Sequence, residues 1–314
     1  MTDPPWPADP VADLLEVLDL NLLGEATISV GGAPGDAESD LGEHNPLVFV
    51  GRSQYFGGRV FGGQVLAQSL IAAGRTVADV PGPSRMVHSL HGYFVRGGDD
   101  SHPIRFVVER LRDGGSFSVR RVHAVQRGET LLSMTASFQV PADGLTHQGM
   151  MPAAPDPTWL PAIADQMAEI DHPSRDYLSR PRAIDIRHVE GNIYLQPGRQ
   201  RAARQSVWIR CTGALPDDPL IHAAVLTYAS DFNLLEPVLR RHGLAWVDRR
   251  LRPASLDHAM WFHRHTRADD WVLYAQSSPS ATGGRGLAIG RMFAQDGRLV
   301  ASVAQEGMLR LKPD

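Results

Sequence analysis

Val87-His-Ser-Leu-His-Gly-Tyr-Phe-Val-Arg96 decides the fold, because its pattern returns later in the chain as Leu256-Asp-His-Ala-Met-Trp-Phe-His-Arg264. In both copies an aromatic pair is followed two residues later by arginine, and the copies are 168 residues apart. Further along, Gly128-Glu-Thr-Leu-Leu-Ser133 matches Gly297-Arg-Leu-Val-Ala-Ser302 at a spacing of 169 residues. So constant a spacing predicts an internal duplication.

Each copy is followed by three segments with strand-like alternation. They lie at 104–111, 117–126 and 130–140 in the first half and at 271–277, 286–294 and 299–310 in the second. The loops between these segments are too short to hold a helix, which excludes a doubly wound parallel sheet and favours antiparallel pairing.

One helix candidate precedes each set of strands, at 61–74 and at 220–235, and Pro237 is expected to close the second. Both are apolar on nearly every face, so we expect them to be buried. One buried helix followed by antiparallel strands, twice, predicts an α+β fold. The specific arrangement is a double hotdog, in which two fused repeats each wrap a curved antiparallel sheet around a helix.

A proline-rich stretch divides the two halves. We expect residues 1–140 to form the N-terminal hotdog repeat, 141–181 a connector with one short helix at about 162–170, and 182–314 the C-terminal repeat. A chain of 314 residues is long enough for two cores of roughly 100–150 residues each.

Composition removes several classes of function. The formal charge of −4 makes nucleic acid or an anionic membrane an unexpected partner. Apolar runs fall short of the ~20 residues of a membrane span, and no secretory signal is visible. The single cysteine, Cys211, lies in a strand-like segment and is expected to be a buried, inert thiol in the reducing cytoplasm. The only lysine, Lys312, is near the chain end, which disfavours Schiff-base chemistry.

Asp231 is the only charged residue between His222 and Leu235. A carboxylate in an apolar helix is costly unless it is hydrogen-bonded or working, but a helix that surfaces near its end explains it equally well. Gly62-Gly63 at the start of the first helix allows another group to approach the backbone closely, or simply makes a turn.

Gln305 shares a strand face with Leu299, Ala301 and Val303, where an amide is expected to have a buried hydrogen-bond partner. Ser255 precedes a strand and is either a turn former or a functional hydroxyl. Neither residue type alone separates a catalytic from a structural role.

Other chemistry is less well supported. There is no Gly-x-Ser-x-Gly elbow and no phosphate-binding glycine loop. His258, His263 and His265 fall on different faces of a strand, which disfavours a metal site. Asp217 and His222 have the Asp-x4-His spacing of hotdog enoyl-CoA hydratases, but Asp217 stands where a helix N-cap is expected.

The motifs together resemble the acyl-CoA thioesterase II family, from about Leu14 to the C-terminus. The resemblance rests on seven ordered blocks on both sides of the connector. These are Val60-Phe-Gly-Gly-Gln-Val, Val87-His-Ser-Leu-His-Gly-Tyr-Phe, Leu111-Arg-Asp-Gly-Gly-Ser-Phe-Ser, Met134-Thr-Ala-Ser-Phe-Gln, Tyr228-Ala-Ser-Asp-Phe-Asn, Leu256-Asp-His-Ala-Met-Trp-Phe-His-Arg and Gln295-Asp-Gly-Arg-Leu-Val-Ala-Ser.

The resemblance implies water-mediated thioester hydrolysis, with Asp231, Ser255 and Gln305 holding one water and Asp231 accepting its proton. It implies an acyl-CoA substrate of medium to long chain, no metal or organic cofactor, and a homodimer or higher homo-oligomer. Backbone amides near Gly63 and Gln64 are the expected oxyanion donors.

Arg264 and Arg285 are expected to bind coenzyme A because each lies beside a matching block, although surface ion pairs are an equal alternative.

Two features depart from the family pattern. Ser255 stands where family members usually have threonine, so a slower enzyme or a changed pocket is expected. The segment 29–55 is longer than usual and is expected to be a surface loop, with a flap over the acyl site as the alternative. Besides a thioesterase, a hydratase acting through Asp217 and His222 and a non-catalytic acyl-CoA-binding protein remain open.

Overall fold

The elements follow from a computed structural model that describes residues 6–26, 45–55, 57–168, 170–172 and 175–312. In the first half they are α1 (Pro10–Leu18), β1 (Asn21–Glu25), β2 (Leu47–Gly51), α2 (Gly62–Ala78), β3 (Met86–Phe94), β4 (Ile104–Asp113), β5 (Phe117–Gln126) and β6 (Glu129–Gln139).

The second half begins after a 3₁₀ turn (Pro157–Trp159) and two short helices, α3 (Ile163–Ala168) and α4 (Arg175–Ser179). Its elements are β7 (Ile184–His188), β8 (Arg204–Cys211), α5 (Pro219–Ser230), α6 (Glu236–His242), β9 (Leu251–Ser255), β10 (Asp257–Phe262), β11 (Val272–Thr282), β12 (Arg285–Ala294) and β13 (Leu299–Leu311).

The strands of the described residues form one antiparallel sheet in the order β1-β2-β4-β5-β6-β3-β10-β13-β12-β11-β8-β7, with β9 added to β13. Strands of the two halves therefore meet at one seam, β3 against β10, where Leu90 stands opposite Met260. Both side chains are fully buried, so the seam belongs to the core. All six predicted strands are present, within a few residues of the expected bounds.

The two predicted helices are buried, as expected from their apolar faces. Helix α2 packs against β4, β5 and β6 of its own half and against α5 of the other half. The α2–α5 pair is antiparallel, because Gly63 near the start of α2 abuts Tyr228 while Gly74 abuts Leu220 near the start of α5. The N-terminus of α2 therefore lies at the C-terminus of α5.

The predicted course of the second helix was wrong at its C-terminal end. Helix α5 ends at Ser230, with Asp231 as its C-cap, and Pro237 opens α6 rather than closing the preceding helix. Proline is tolerated in a first helical turn because its missing N–H has no intrahelical partner there. Helix α6 then packs on β8, β11 and β12.

The connector is largely irregular, and its predicted short helix is confirmed as α3. It packs against the strands of the second half, where Trp208 Nε1 on β8 donates to the Pro155 carbonyl at 2.9 Å. Met151 and Leu160 pack there against a cluster that contains Trp208 and Phe293. The boundaries at 140 and 181 stay a prediction.

The loop expected at 29–55 is wrong for its last part, since 47–51 form β2, paired with β4. The segment Leu-Val-Phe-Val lies between β1 and β4 near one edge of the sheet. Residues 29–44 of this segment lie outside the described part of the chain, as do residues 27 and 28 before it and Phe56 after it. Cys211 is buried, as expected, and burial raises the pKa of its thiol.

Candidate active site

Asp231 lies where the two halves meet, because it caps the C-terminus of α5 directly against the N-terminus of α2. A Cβ atom added to Gly62 would stand 2.7 Å from Asp231 Oδ2, and one added to Gly63 would stand 2.5 Å from the Tyr228 carbonyl oxygen. The glycine pair therefore provides the close backbone approach inferred from sequence.

The structure brings Asp231, Ser255 and Gln305 together from a helix end and two neighbouring strands. The Gln305 Nε2 group donates to Asp231 Oδ1 at 2.9 Å and to Ser255 Oγ at 2.7 Å. Ser255 Oγ lies 3.5 Å from Asp231 Oδ1, longer than a strong O–H···O hydrogen bond. The three side chains therefore form one hydrogen-bonded cluster at the C-terminus of α5.

Gln305 is held in this orientation by His258, a residue whose role the sequence did not reveal. His258 Nδ1 lies 2.7 Å from Gln305 Oε1, and His258 Nε2 lies 2.8 Å from Ser230 Oγ. With both amide hydrogens directed at Asp231 and Ser255, Gln305 Oε1 is the acceptor and Nδ1 carries the proton. The imidazole therefore determines which end of the amide faces the carboxylate.

Burial shifts the pKa values of both titratable groups of this network. Desolvation raises the pKa of Asp231 to about 6, although hydrogen bonds from Gln305, Gly63 and Ser255 act in the opposite direction. Desolvation lowers the pKa of His258 to about 4, so the imidazole is neutral near pH 7. A carboxylate with its pKa near neutrality suits a general base.

The solvent side of the network is open. Asp231 and Ser255 are partly exposed, whereas Gln305 and His258 are buried. Tyr274 closes the other side by donating its hydroxyl to the Ser230 carbonyl at 3.1 Å. Solvent can thus reach the carboxylate, while Gln305 and His258 are enclosed.

The two backbone amides expected as oxyanion donors have different surroundings. The Gly63 amide donates to the Asp231 carboxylate. The Gln64 amide donates to the Phe61 carbonyl at 3.1 Å, and its side chain is bonded to Gln54 and Gln68. Gln64 is thus engaged in the turn that starts α2 and in a buried amide chain, and only Gly63 stays beside the carboxylate.

The two arginines expected to bind coenzyme A are not brought to Asp231. Arg285 forms an ion pair with Glu306 at 3.1 Å on the solvent face of the sheet. Arg264 donates to the Leu299 carbonyl at 3.0 Å and lies near the N-terminus of α5, at the other end of the helix pair. Arg285 thus has the ion pair of the structural alternative, whereas Arg264 is bonded to a backbone carbonyl and pairs with no carboxylate among the described residues.

The rival Asp-x4-His pair is separated. Asp217 is exposed and pairs with Arg267 at 3.3 Å, while the N-cap of α5 is Asp218, one residue later than expected. His222 is buried and its Nδ1 accepts from the Ala268 amide at 3.1 Å. A surface aspartate and a buried histidine do not form a hydratase pair.

The histidines considered for a metal have separate partners. His258 faces Gln305, His263 lies 2.9 Å from the Ser302 hydroxyl, and the ring of His265 contacts that of His222. Across the described ranges, no cluster of three histidine, cysteine or acidic side chains is arranged to hold a metal ion. Nor does any helix in those ranges have the length and hydropathy to cross a membrane.

His258 was detectable by the same reasoning that identified Gln305. In β10 the alternation places His258 on the face of Met260, a fully buried residue, so a polar ring there needs a partner. The partner itself was not detectable, because it lies 47 residues away on β13.

Comparison with known proteins agrees with this architecture. Two family models match, one described as acyl-CoA thioesterase over residues 179–308 and one as acyl-CoA thioesterase N-terminal domain over residues 51–139. A conserved protein of unknown function with a hot dog fold from Alicyclobacillus acidocaldarius has a TM-score of 0.70 at 19% identity, over 96% of this chain and 99% of that one. The fold is therefore the predicted double hotdog.

Two relatives are similar along most of their length. The chain is 43% identical to the acyl-CoA thioesterase II TesB2 from Mycobacterium marinum, with a TM-score of 0.71, over 96% of this chain and 98% of that one. It is 38% identical to acyl-CoA thioesterase 2 from Haemophilus influenzae over 84% of this chain and 92% of that one. On these matches, the chain belongs to the acyl-CoA thioesterase family of thioester hydrolases.

Proposed function

We propose that this protein hydrolyses medium- to long-chain fatty acyl-CoA to the free fatty acid and coenzyme A, with one water held by Asp231, Ser255 and Gln305. The observation that carries the proposal is the Gln305 amide, which donates to both other members at 2.7–2.9 Å. A buried, oriented amide beside a carboxylate with a pKa of about 6 suits deprotonation of a water near neutral pH.

In the proposed reaction the water oxygen attacks the thioester carbon while its proton passes to Asp231. The tetrahedral intermediate collapses with cleavage of the C–S bond. The proton on Asp231 is then available to the departing coenzyme A sulfur. No covalent acyl-enzyme forms. The Gly63 amide is the nearest backbone donor for the oxyanion, and it exchanges its bond to Asp231 for one to the thioester oxygen.

Release of coenzyme A, measured with a thiol reagent, tests the proposal on acyl-CoA substrates of 4 to 18 carbons, a range chosen to span short to long chains. Asp231→Asn is expected to abolish release, and Ser255→Ala to reduce it. Asp218→Asn is the matched control, because it changes an aspartate at the other end of the same helix while keeping an N-cap residue. Full activity in Asp231→Asn would refute the mechanism.

The same variants separate the alternatives. A non-catalytic acyl-CoA-binding protein would retain acyl-CoA but release no thiol even in the wild-type form. An enoyl-CoA hydratase would lose enoyl hydration on His222→Ala. That reading has little support, because His222 is buried and bonded to a backbone amide.

We further propose a homodimer or higher homo-oligomer, by analogy with hotdog enzymes, and a cytoplasmic location, because the single cysteine suits a reducing compartment. The molar mass of the full chain in solution, measured by light scattering, tests the first. A mass near the 34.3 kDa of one chain would refute it.

A further inference from the structure

The α2–α5 pair has two ends, and the duplication makes them counterparts of each other. Gly62 and Gly74 lie 157 residues before Pro219 and Asp231, respectively. At the catalytic end Gly62 abuts Asp231, and at the opposite end Gly74 abuts Leu220, the residue after Pro219. The opposite end is therefore the second copy of the catalytic position.

The second copy has lost every polar group of the proposed catalytic network. At the spacings of 168 and 169 residues found in the sequence, Ser255 corresponds to Val87, and Gln305 to Ala136. The His258–Gln305 pair corresponds to Leu90 and Ala136, which stand opposite each other on β3 and β6. A glycine, a valine and an alanine cannot hold or deprotonate a water, so this end is not hydrolytic.

The end of the helix pair at Gly74 and Leu220 nevertheless has an open groove. A groove of about 950 Å³ runs between the C-terminal half of α2 and the N-terminal half of α5. We call it the distal groove. Its volume lies in the ~300–1,000 Å³ range of small-molecule sites. Its apolar walls come from both halves and include Ile71, Gly74, Val87, Leu220, Ala223 and Phe262.

The rim of the distal groove is basic. Among the described residues, Arg85 and Arg264 line it without a carboxylate partner, and both are bonded to backbone carbonyls instead. Arg85 Nε is buried and has no hydrogen-bond partner within the same part of the chain. Asp218 is the acidic group of the lining, and its carboxylate already caps α5.

The remaining titratable groups of the lining do not reverse this balance. Arg75 is paired with Asp19 at 2.7 Å. His88 and His263 lie against the hydroxyls of Ser137 and Ser302, which carry no charge, and the ring of His265 packs against that of His222. Apolar walls below two uncompensated guanidinium groups are complementary to a molecule with an apolar chain and an anionic head.

We propose that the distal groove is a second, non-catalytic binding site for a medium- to long-chain fatty acid, with its carboxylate at Arg85 and Arg264 and its chain between α2 and α5. The site is separate from the network at Asp231, so its occupation does not depend on the proposed hydrolysis. The positive charge of two guanidinium groups without a carboxylate partner is the feature that selects a carboxylate over an uncharged or cationic head.

Titration calorimetry of the full chain with dodecanoate tests this proposal. Binding of dodecanoate in the distal groove is expected to have equal affinity in wild type and in Asp231→Asn, because Asp231 does not line the groove. Arg85→Gln and the groove-filling Val87→Phe are each expected to weaken binding at least tenfold. Arg241→Gln changes an exposed arginine on α6 away from the groove and is the matched control, with wild-type affinity expected. Thermal unfolding monitored by circular dichroism checks that the variants are folded.

A second experiment uses the wild-type protein and changes the ligand instead of the groove. Dodecyltrimethylammonium has the same chain with a cationic head and is expected to bind at least tenfold more weakly than dodecanoate. Equal binding of the two, or unchanged dodecanoate affinity in folded Arg85→Gln and Val87→Phe, would overturn the proposal. So would competition between dodecanoate and saturating dodecanoyl-CoA in Asp231→Asn, because the groove would then hold the substrate's own acyl chain.

Discussion

At the scale of single residues, burial and hydrogen bonding shift the pKa of Asp231 in opposite directions. Three donors approach its carboxylate, from Gln305, Gly63 and Ser255, and each favours the ionised form. Desolvation outweighs them and leaves the pKa at about 6. The residue is thereby ionised at neutral pH but remains basic enough to accept a proton.

This pKa predicts the acid limb of the pH–rate profile. A general base must be unprotonated, so kcat/KM is expected to rise about tenfold per pH unit below pH 6 and to level off above it. Initial rates of coenzyme A release between pH 4.5 and 8.5 measure the profile. An acid limb with its midpoint near pH 4 would mean that the carboxylate that accepts the proton is not desolvated.

The raised pKa of Asp231 also predicts that its ionised form lowers the free energy of unfolding. The folded pKa of about 6 lies above the unfolded value of ~3.9, so the destabilisation is absent below pH 4, grows between pH 4 and 6, and is complete above pH 6. Asp231→Asn is expected to raise the free energy of unfolding by up to about 3 kcal/mol at pH 7.5 and by nothing at pH 3.5. Denaturant unfolding at both pH values is the measurement, and an equal effect at both would contradict it.

His258 is expected to act as a positioning residue. Its loss in His258→Leu frees the Gln305 amide to rotate, and a buried amide that loses its partner costs about 1–3 kcal/mol. We expect kcat to fall about tenfold with little change in KM. His258→Asn places a donor near the former Nδ1 and is expected to restore part of the rate. A merely structural role would lower stability but leave kcat per folded molecule unchanged.

At the scale of elements, the close contact between the ends of α2 and α5 decides whether the site exists. Sequence reasoning placed both helices but carried the second too far, because no local signal says that the backbone leaves the helix at Ser230. That early end is what turns Asp231 from a helical residue into a cap that meets the Gly62-Gly63 pair.

Gly62→Ala tests this contact. The added methyl group would lie 2.7 Å from Asp231 Oδ2 and 3.0 Å from Phe94 Cε1, so the carboxylate must move. A displacement of about 1 Å at a reacting group can cost about 10²-fold, and we expect a loss of kcat/KM of that order. Gly97→Ala is the control, since its added Cβ meets nothing within 4 Å. Equal activities of the two variants would show that the contact is not needed.

At the scale of the whole molecule, the halves share one sheet and one helix pair. The β3–β10 seam continues the sheet from one repeat to the other, and the α2–α5 pair buries the two helices against each other. A molecule joined in this way is expected to unfold as one unit rather than repeat by repeat.

Leu90→Ala tests that cooperativity. Leu90 is fully buried at the seam in the first half, and its truncation is expected to cost about 2–5 kcal/mol. Every tryptophan except Trp6 lies at or beyond residue 159, so tryptophan fluorescence reports mainly on the second half. Fluorescence and circular dichroism transitions are expected to shift together. A shift in circular dichroism alone would show that the halves unfold independently.

The sequence by itself determined the repeat, the six main strands and the burial of both helices, because these depend on local periodicity and on residues spaced along the chain. The choice of Asp231, Ser255 and Gln305 came from the resemblance to the thioesterase family, since their residue types alone left a structural role open. Only the tertiary structure decided that His258 orients Gln305, that Gln64, Arg264 and Arg285 have other partners, and that the opposite end of the helix pair is an open groove. Each of these is a contact between residues far apart in the chain, and its existence depends on how the two repeats pack.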